Sequence, residues 1–466
     1  MSGRWVVVLC LLSWAWSGRA VAQGRSLDET VNERSSASRP ANSAPLLRDP
    51  ELDSPVTPEE WHFLTRLDVS GLALLPRGDG GTREGLVQVV PTLMLDGGAE
   101  FGVNLEAPVR LRLWGGERYA GVIHQEDWDS LSDWGQVIRA LKLGSNEAPL
   151  ALWMGALDSY SLLSGHLVRR YSNRINPDYH PAGGFLTGTL GPLYVEAFAS
   201  DVLGARLFGA EAEVDLEHVL FGRSVQAGRY TLAVSAVHEG GRGEGTSPEI
   251  TLAHLDGTAV VWARSSFELH LLAGWGGRPG TGGAWGAVAG VGADAETPSL
   301  NARLRLEARR QHGGFRQGAF GPDYELARFR AAGASRQPLA EAPFPEGASV
   351  YAEADVGWDA ERLVGRMQRH LSFSWAVEVF TSRRVDTDGR IALQLFERNL
   401  ELALSVLGVG LGRPGARYLV AGELRWRFAS RLYALGRGGT PLFPQTDGSL
   451  RPGAQASLGV GVDNAR

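Results

Sequence analysis

Charged side chains recur at alternate positions in several stretches of this chain, and that spacing limits what chemistry they can do. Arg303, Arg305 and Arg309 are separated by even steps, as are Arg417, Arg425 and Arg427. The acidic counterparts are Glu211, Glu213 and Asp215, and Glu353 and Asp355. Successive side chains of an extended strand point to opposite faces, so each set shares one face of one strand. A row of like charges cannot be buried in an apolar core. It fits the inner wall of a water-filled lumen, where opposed basic and acidic walls set up a transverse field that orients polar solutes. Simple solvation of a wide lumen accounts for the same rows.

One connection has the composition to narrow such a lumen. Tyr160 to Gly184 carries Arg169, Arg170 and Arg174 beside Tyr160, Tyr171 and Tyr179. Its Asn176-Pro177-Asp178 is a turn former, and the proline restricts the backbone before it. Guanidinium groups, aromatic anchors and a turn suit a segment packed against the wall, with Arg169, Arg170, Arg174, Tyr171 and Asp178 at the constriction. An external, solvated loop is the plain alternative.

Groups for catalysis do not assemble in the sequence. Gly-x-Ser-x-Gly, the Walker pattern and His-Glu-x-x-His are absent. The cluster Gly276-Gly277-Arg278-Pro279-Gly280-Thr281-Gly282-Gly283 lacks the Lys-Ser/Thr of a phosphate loop and reads as a turn. Histidines stand singly: His270 and His370 on polar strand faces, His180 in the long connection. Glu126, Asp127, Asp129 and Asp133 lack the glycine and glutamate of a known calcium loop and read as a solvated loop. The reading is therefore non-enzymatic, with no cofactor and no metal.

The elements that position these rows are strands. Leu300 to Arg310 sets Leu300, Ala302, Leu304, Leu306 and Ala308 against Asn301, Arg303, Arg305, Glu307 and Arg309. Ser349 to Trp358, His370 to Phe380, Arg417 to Phe428, Glu100 to Leu113 and Leu207 to Leu216 alternate in the same way, as do Arg229 to His238 and Phe267 to Trp275. Such strands outrun the roughly five or six residues usual in soluble sheets, and match the roughly 9 to 11 needed to cross a bilayer at a tilt. Phe101, Trp262, Trp275, Trp358, Phe380 and Phe428 sit near strand ends, where interfacial girdles require aromatics. A soluble sandwich or propeller also alternates, but shows shorter strands or a blade-sized repeat.

Lipid tolerates no open sheet edge, so the strands must close. The expectation is an all-β, closed antiparallel transmembrane β-barrel over residues 61–466, of about 18 strands within a range of 16 to 20. Short turns fall at Arg264-Ser265-Ser266 and Glu397-Arg398-Asn399. Longer connections run over Gly115 to Asp133, Tyr160 to Gly184, Glu239 to Pro248, Gln311 to Tyr324 and Arg437 to Pro452. Pro108 predicts a bulge or register defect inside its strand. Leu304→Arg is expected to impair assembly and Arg305→Leu to be tolerated.

Ahead of the barrel lie two other regions. Met1 to Arg4 is a basic start, Trp5 to Trp16 is apolar apart from Ser13, and Ala20-Val21-Ala22 fits signal-peptide cleavage before Gln23. Residues 1–22 thus read as an export signal. Cys10, the only cysteine, falls inside it, so the mature chain has no disulfide. Residues 23–60, rich in serine, proline and scattered charge, read as a flexible, disordered tail. Losing Arg4 and Arg19 takes the net charge from -6 to -8, an acidity that argues against nucleic-acid binding.

With these features Trp61 to Val462 resembles bacterial outer-membrane porin-like β-barrels. Tyr171-Ser172-Asn173-Arg174-Ile175-Asn176-Pro177-Asp178, followed by Gly183-Gly184, is similar to a segment of porin-like proteins. The chain departs from them by ending Val462-Asp463-Asn464-Ala465-Arg466, without the terminal aromatic that the barrel assembly machinery recognises. The resemblance implies an integral outer-membrane pore for hydrophilic solutes, surrounded by lipid and inserted by that machinery. A conduit or anchor for an exported surface polysaccharide, acting with periplasmic partners, stands beside it. Neither the transported molecule nor the oligomeric state is written in the residues.

Overall fold

The computed structural model describes residues 62–464, apart from stretches within connections, the longest being 241–248, 332–345 and 359–370. Residues 1–22 and 23–60, expected as an export signal and a tail, lie outside the described residues.

Alternation becomes strands along the whole described chain. They are His62–Pro76 (β1), Glu84–Asp96 (β2), Phe101–Glu106 with Val109–Gly115 (β3), Ile138–Leu143 (β4) and Leu150–Gly155 (β5). Gly183–Leu190 (β6), Leu193–Ala199 (β7), Leu207–Asp215 (β8), Tyr230–Glu239 (β9) and Ile250–Arg264 (β10) follow. Next come Phe267–Gly277 (β11), Trp285–Glu296 (β12), Leu300–His312 (β13), Gly347–Trp358 (β14) and Leu371–Phe380 (β15). The last are Val385–Leu395 (β16), Leu400–Leu411 (β17), Arg417–Arg427 (β18), Leu432–Gly439 with Leu442–Pro444 (β19), and Leu450–Asp463 (β20).

Two strands are written in halves because one register runs through each break. Thr92 opposes Glu106 and Val89 opposes Val109, so β2 follows β3 across Pro108 without a shift. Gly439 opposes Gln455 and Leu442 opposes Pro452, so β19 is likewise continuous along β20. Each strand pairs antiparallel with its sequence neighbours, and β20 returns to β1 with Arg66 opposite Asp463 and Pro76 opposite Gly453. The described residues thus form a closed ring of 20 strands.

Twenty strands correct the central expectation of about 18. Arg437 to Pro452 is not a long connection: β19 and β20 occupy most of it. Its arms contain Gly438, Gly439 and Gly453, and a residue without a side chain contributes nothing to a period-2 pattern. Pro108 interrupts β3, but the register shifts lie elsewhere, at Asn104/Leu105 on the β4 side and between Arg112 and Trp114 on the β2 side. On the β2 side the neighbouring Ala107 still donates to Pro91, at 3.2 Å.

The wall has two faces. On β13, Leu304 is 52% exposed on the outer surface while Arg309, five residues on and facing inward, is 3% exposed. Trp262, Trp275, Trp358 and Phe428 are exposed outward near strand ends. Phe380 is not part of that ring. It follows outward-facing Val379, so alternation turns it inward, where it is buried. The largest apolar core also lies inside the ring. It joins Leu157, Leu162 and Val168 of the connection 156–182 to Phe315 and Phe320 of the connection after β13.

Candidate functional site

The connection between β5 and β6 folds into the barrel. It doubles back on itself through a Tyr160–Tyr171 antiparallel bridge, with N–O distances of 2.8 and 2.7 Å. Gly165 turns its tip at φ 71°, a conformation a β-carbon disfavours, and an added methyl would meet the Arg169 guanidinium. A second segment, 313–331, lies alongside. Val168 bridges Phe320 in parallel, and Gly318 donates to the His166 carbonyl at 2.7 Å. The helix Tyr324–Ala331 ends the described part of this segment.

Charged groups clamp the two segments to the wall. Arg170 pairs with Asp388 on β16 and reaches Glu353 at 3.3 Å and Asp355 at 3.4 Å on β14. Arg169 pairs with Glu353 and donates to the Tyr351 hydroxyl at 2.7 Å. Arg174 donates to the carbonyls of Gly135, Ile138 and Pro181 at 3.0 to 3.1 Å. The Tyr171 hydroxyl donates to Glu325 and the Tyr160 hydroxyl to Glu196, each at 2.5 Å. Burial, then those carboxylates, raise both phenols well above their ordinary values, so they stay protonated donors. Asp178 lies outside the described residues.

Opposed basic and acidic walls and plain solvation of the lumen are both open to the alternation; on β13 and β14 the Glu353–Asp355 row lies next to the Arg303–Arg309 row rather than across from it. Arg303 opposes Asp355 and Arg305 opposes Glu353 across the β13–β14 ladder. Arg303 pairs with Asp294 at 3.0 Å, and Arg309 with Glu307 at 2.6 Å and Glu378 at 3.2 Å. Arg417 meets Asp323 at 2.5 Å, Arg425 meets Glu401 at 3.4 Å, and Arg427 grips Asp463 through two nitrogens at 2.9 and 2.7 Å. Charge is cancelled locally because like charges that are desolvated demand partners within a few ångströms. Glu211 accepts from the Ser164 amide at 3.0 Å, and Glu213 faces inward beside it. Asp215 instead caps the helix Leu216–Phe221, accepting from the His218 and Gly228 amides at 3.1 Å.

A buried cluster at the loop tip has no mark in the residue spacing. His166 and His254 flank Asp256, their Nδ1 atoms 2.5 and 2.8 Å from its two oxygens. These are groups that could hold a metal ion. Their hydrogen-bond polarity opposes one. Arg305 Nη2 lies 2.7 Å from His166 Nε2 and can only donate, so His166 carries its proton on Nδ1 and gives it to Asp256. Arg305 also donates to the Ser164 carbonyl at 2.9 Å and pairs with Glu307. Arg316 and Asp386, paired at 2.7 Å, were likewise missed. No motif spacing marks residues drawn from five different elements.

His270 lies on the inner face 3.4 Å from Asp294, and His370 lies outside the described residues. Asp127 meets Arg110 at 2.7 Å and His124 at 3.2 Å. Burial raises its carboxyl, but those two partners outweigh it and hold it below its ordinary value. Asp133 accepts from Ser130, and Glu126 and Asp129 lie outside the described residues.

The geometry defines a class: a closed antiparallel barrel with an apolar outer face and an inward-folded, ion-paired loop. No family model matches the chain, and no curated protein matches it. Among solved structures it is similar to a BenF-like porin from Pseudomonas fluorescens Pf-5, at 9% identity and a TM-score of 0.33, covering 87% of this chain and 99% of that one. Pseudomonas aeruginosa OccK5 (OpdH) gives 12% identity and 0.34, covering 86% and 97%. The ferric enterobactin receptor PfeA gives 9% and 0.35, covering 86% and 81%. Superpositions this loose do not choose a family or a substrate.

Proposed function

We propose that the protein is an integral outer-membrane pore that lets small hydrophilic solutes cross, inserted by the barrel assembly machinery after export. The observation that carries this reading is the closed, 20-strand, two-faced ring itself: an apolar exterior suits lipid, and a charged interior suits water. The inward loop would then be the constriction, with Arg169 and Arg170 fixing it to one side of the lumen. The path would follow the other side, along β18, β19, β20 and β1. There Arg437 on β19 keeps half its side chain exposed while paired with Glu423, whereas Glu307 under the loop has none exposed. No observation favours a polysaccharide conduit.

Purified protein in a planar bilayer should produce discrete conductance steps, and should migrate differently on gels before and after boiling. Folded protein that inserts yet never conducts would sink the pore reading; a product soluble without detergent would sink the barrel-in-membrane reading.

A further inference from the structure

Four adjacent strands are too short for the task the rest of the wall performs. β4 and β5 have 6 residues each, β6 has 8 and β7 has 7, whereas β1 and β10 have 15. At the usual rise and tilt, six residues climb about 15 Å, against an apolar belt about 25 Å tall. The belt in this sector therefore lacks roughly 5 to 10 Å of strand.

Another part of the chain occupies that height. The upper half of β3 is paired not by β4 but by residues 121–124, with Arg112 donating to Val122 at 2.7 Å and His124 to Arg110 at 3.0 Å. These residues run in the direction of β4, so the intervening stretch up to Val137 is an excursion from one interrupted strand. It settles over the ends of the short strands. Gly135 sits so close to Ala182 that a methyl there would fall 2.2 Å from its amide nitrogen, and Ser132 hydrogen-bonds Asp201 in the connection 200–206. Gln136 ties the excursion to itself through the Asp127 carbonyl at 2.7 Å. What the cap turns outward is apolar: Leu131 is 66% and Trp134 57% exposed, Trp128 packs edge-on to Trp134 at 5.2 Å, and Leu203 is exposed next to Gly204, where an added methyl would lie 3.4 Å from Ser132 Oγ.

We propose that this cap, Leu131 and Trp134 with Leu203, is a lipid-docking surface that completes the belt above the short strands and contacts lipid acyl chains. The inference rests on the reading that the outer face of the ring meets lipid. It is continuous with that face through Leu113 and Trp114 at the adjoining end of β3, both exposed. A tryptophan at the edge of such a band suits the acyl–headgroup boundary.

The chain has no cysteine after Cys10, so single cysteines can carry a spin label. Leu131→Cys and Leu203→Cys, both at exposed positions that tolerate a label, would be reconstituted in lipid vesicles beside Leu304→Cys on the outer belt and Arg437→Cys in the lumen. The ratio of oxygen to nickel-chelate collisions at Leu131 and Leu203 should match that at Leu304 and exceed that at Arg437 roughly threefold or more, because oxygen partitions into the apolar layer that excludes the chelate. Ratios like that at Arg437 would place the cap in water and overturn the proposal. Low access to both reagents, with cross-linking between copies, would overturn it in favour of an interface with a second copy. A wet Leu304 label would show that the membrane reading itself had failed.

Discussion

Arg170 concentrates the strain and the fixation of the inward loop. Its φ of 52° lies in the left-handed region, a conformation that costs a non-glycine residue about 1 kcal/mol and persists only where contacts hold it. The contacts here are Asp388, Glu353, Asp355 and the Ser374 hydroxyl. Arg170→Met should leave Asp388 without its guanidinium partner at a cost of about 3 kcal/mol, while Glu353 keeps Arg169 and the partly exposed Asp355 keeps the Ser374 hydroxyl. The expected readouts are a lower temperature for the gel-mobility transition and a larger single-channel conductance. Arg170→Lys keeps the charge but not the fork and should fall between. At the other end of the loop, burial, then Arg110 and Arg174, push the His180 imidazole down to about 3, against the pull of Asp127. The unfolded chain takes up a proton as pH falls through about 6.5, while the folded chain refuses it until near 3, so stability is lost across that window on acidification. His180→Gln should therefore lose less transition temperature than the native protein between about pH 7 and pH 4, and an equal loss would assign the acid sensitivity elsewhere.

β13 separates two kinds of damage within one element. Leu304→Arg puts a charge on the outer face at a cost of about 2 to 4 kcal/mol near the belt's middle, and should reduce the yield of folded protein in the membrane fraction. Arg305→Leu, on the inner face of the same strand, is expected not to impair assembly. The structure adds a second role for this side chain: Arg305 holds the Ser164 carbonyl, His166 and Glu307 together. Arg305→Leu should let the barrel assemble but loosen the loop tip, giving normal membrane yield with a noisier, larger conductance. Equal yields for the two variants would mean that the faces are wrongly assigned.

For the whole molecule, the two sides of the lumen differ in what their charges do. Around β13 and β14 guanidinium and carboxylate groups neutralise one another beneath the loop. Along β19 the half-exposed Arg437 remains in reach of a solute. Arg437→Glu should move the reversal potential in a salt gradient towards cation selectivity, because an exposed lumen charge sets the local ion concentration. Arg309→Gln should leave the reversal potential alone and lower the stability of the loop. A shift from Arg309→Gln and none from Arg437→Glu would place the path on the opposite side.

Period-2 alternation, with charge on one face and aliphatic residues on the other, determined that this chain builds two-faced strands. Strand boundaries at Leu300, Ser349 and Arg417 could be read almost to the residue, because burial on one side leaves a mark at every second position. The glycine-rich arms beside Arg437 left no such mark, so the count of 20 needed the ring itself to close. The composition of Tyr160 to Gly184 showed what the loop could bind but not where it would go. Its partners Glu353 and Asp388 lie some 180 to 220 residues further along the chain, and only the tertiary structure brings them to Arg169 and Arg170. The same is true of the charge rows. A strand's sequence says which residues share a face, but pairing between strands decides whether Arg305 faces open water or Glu353, and desolvation made that choice.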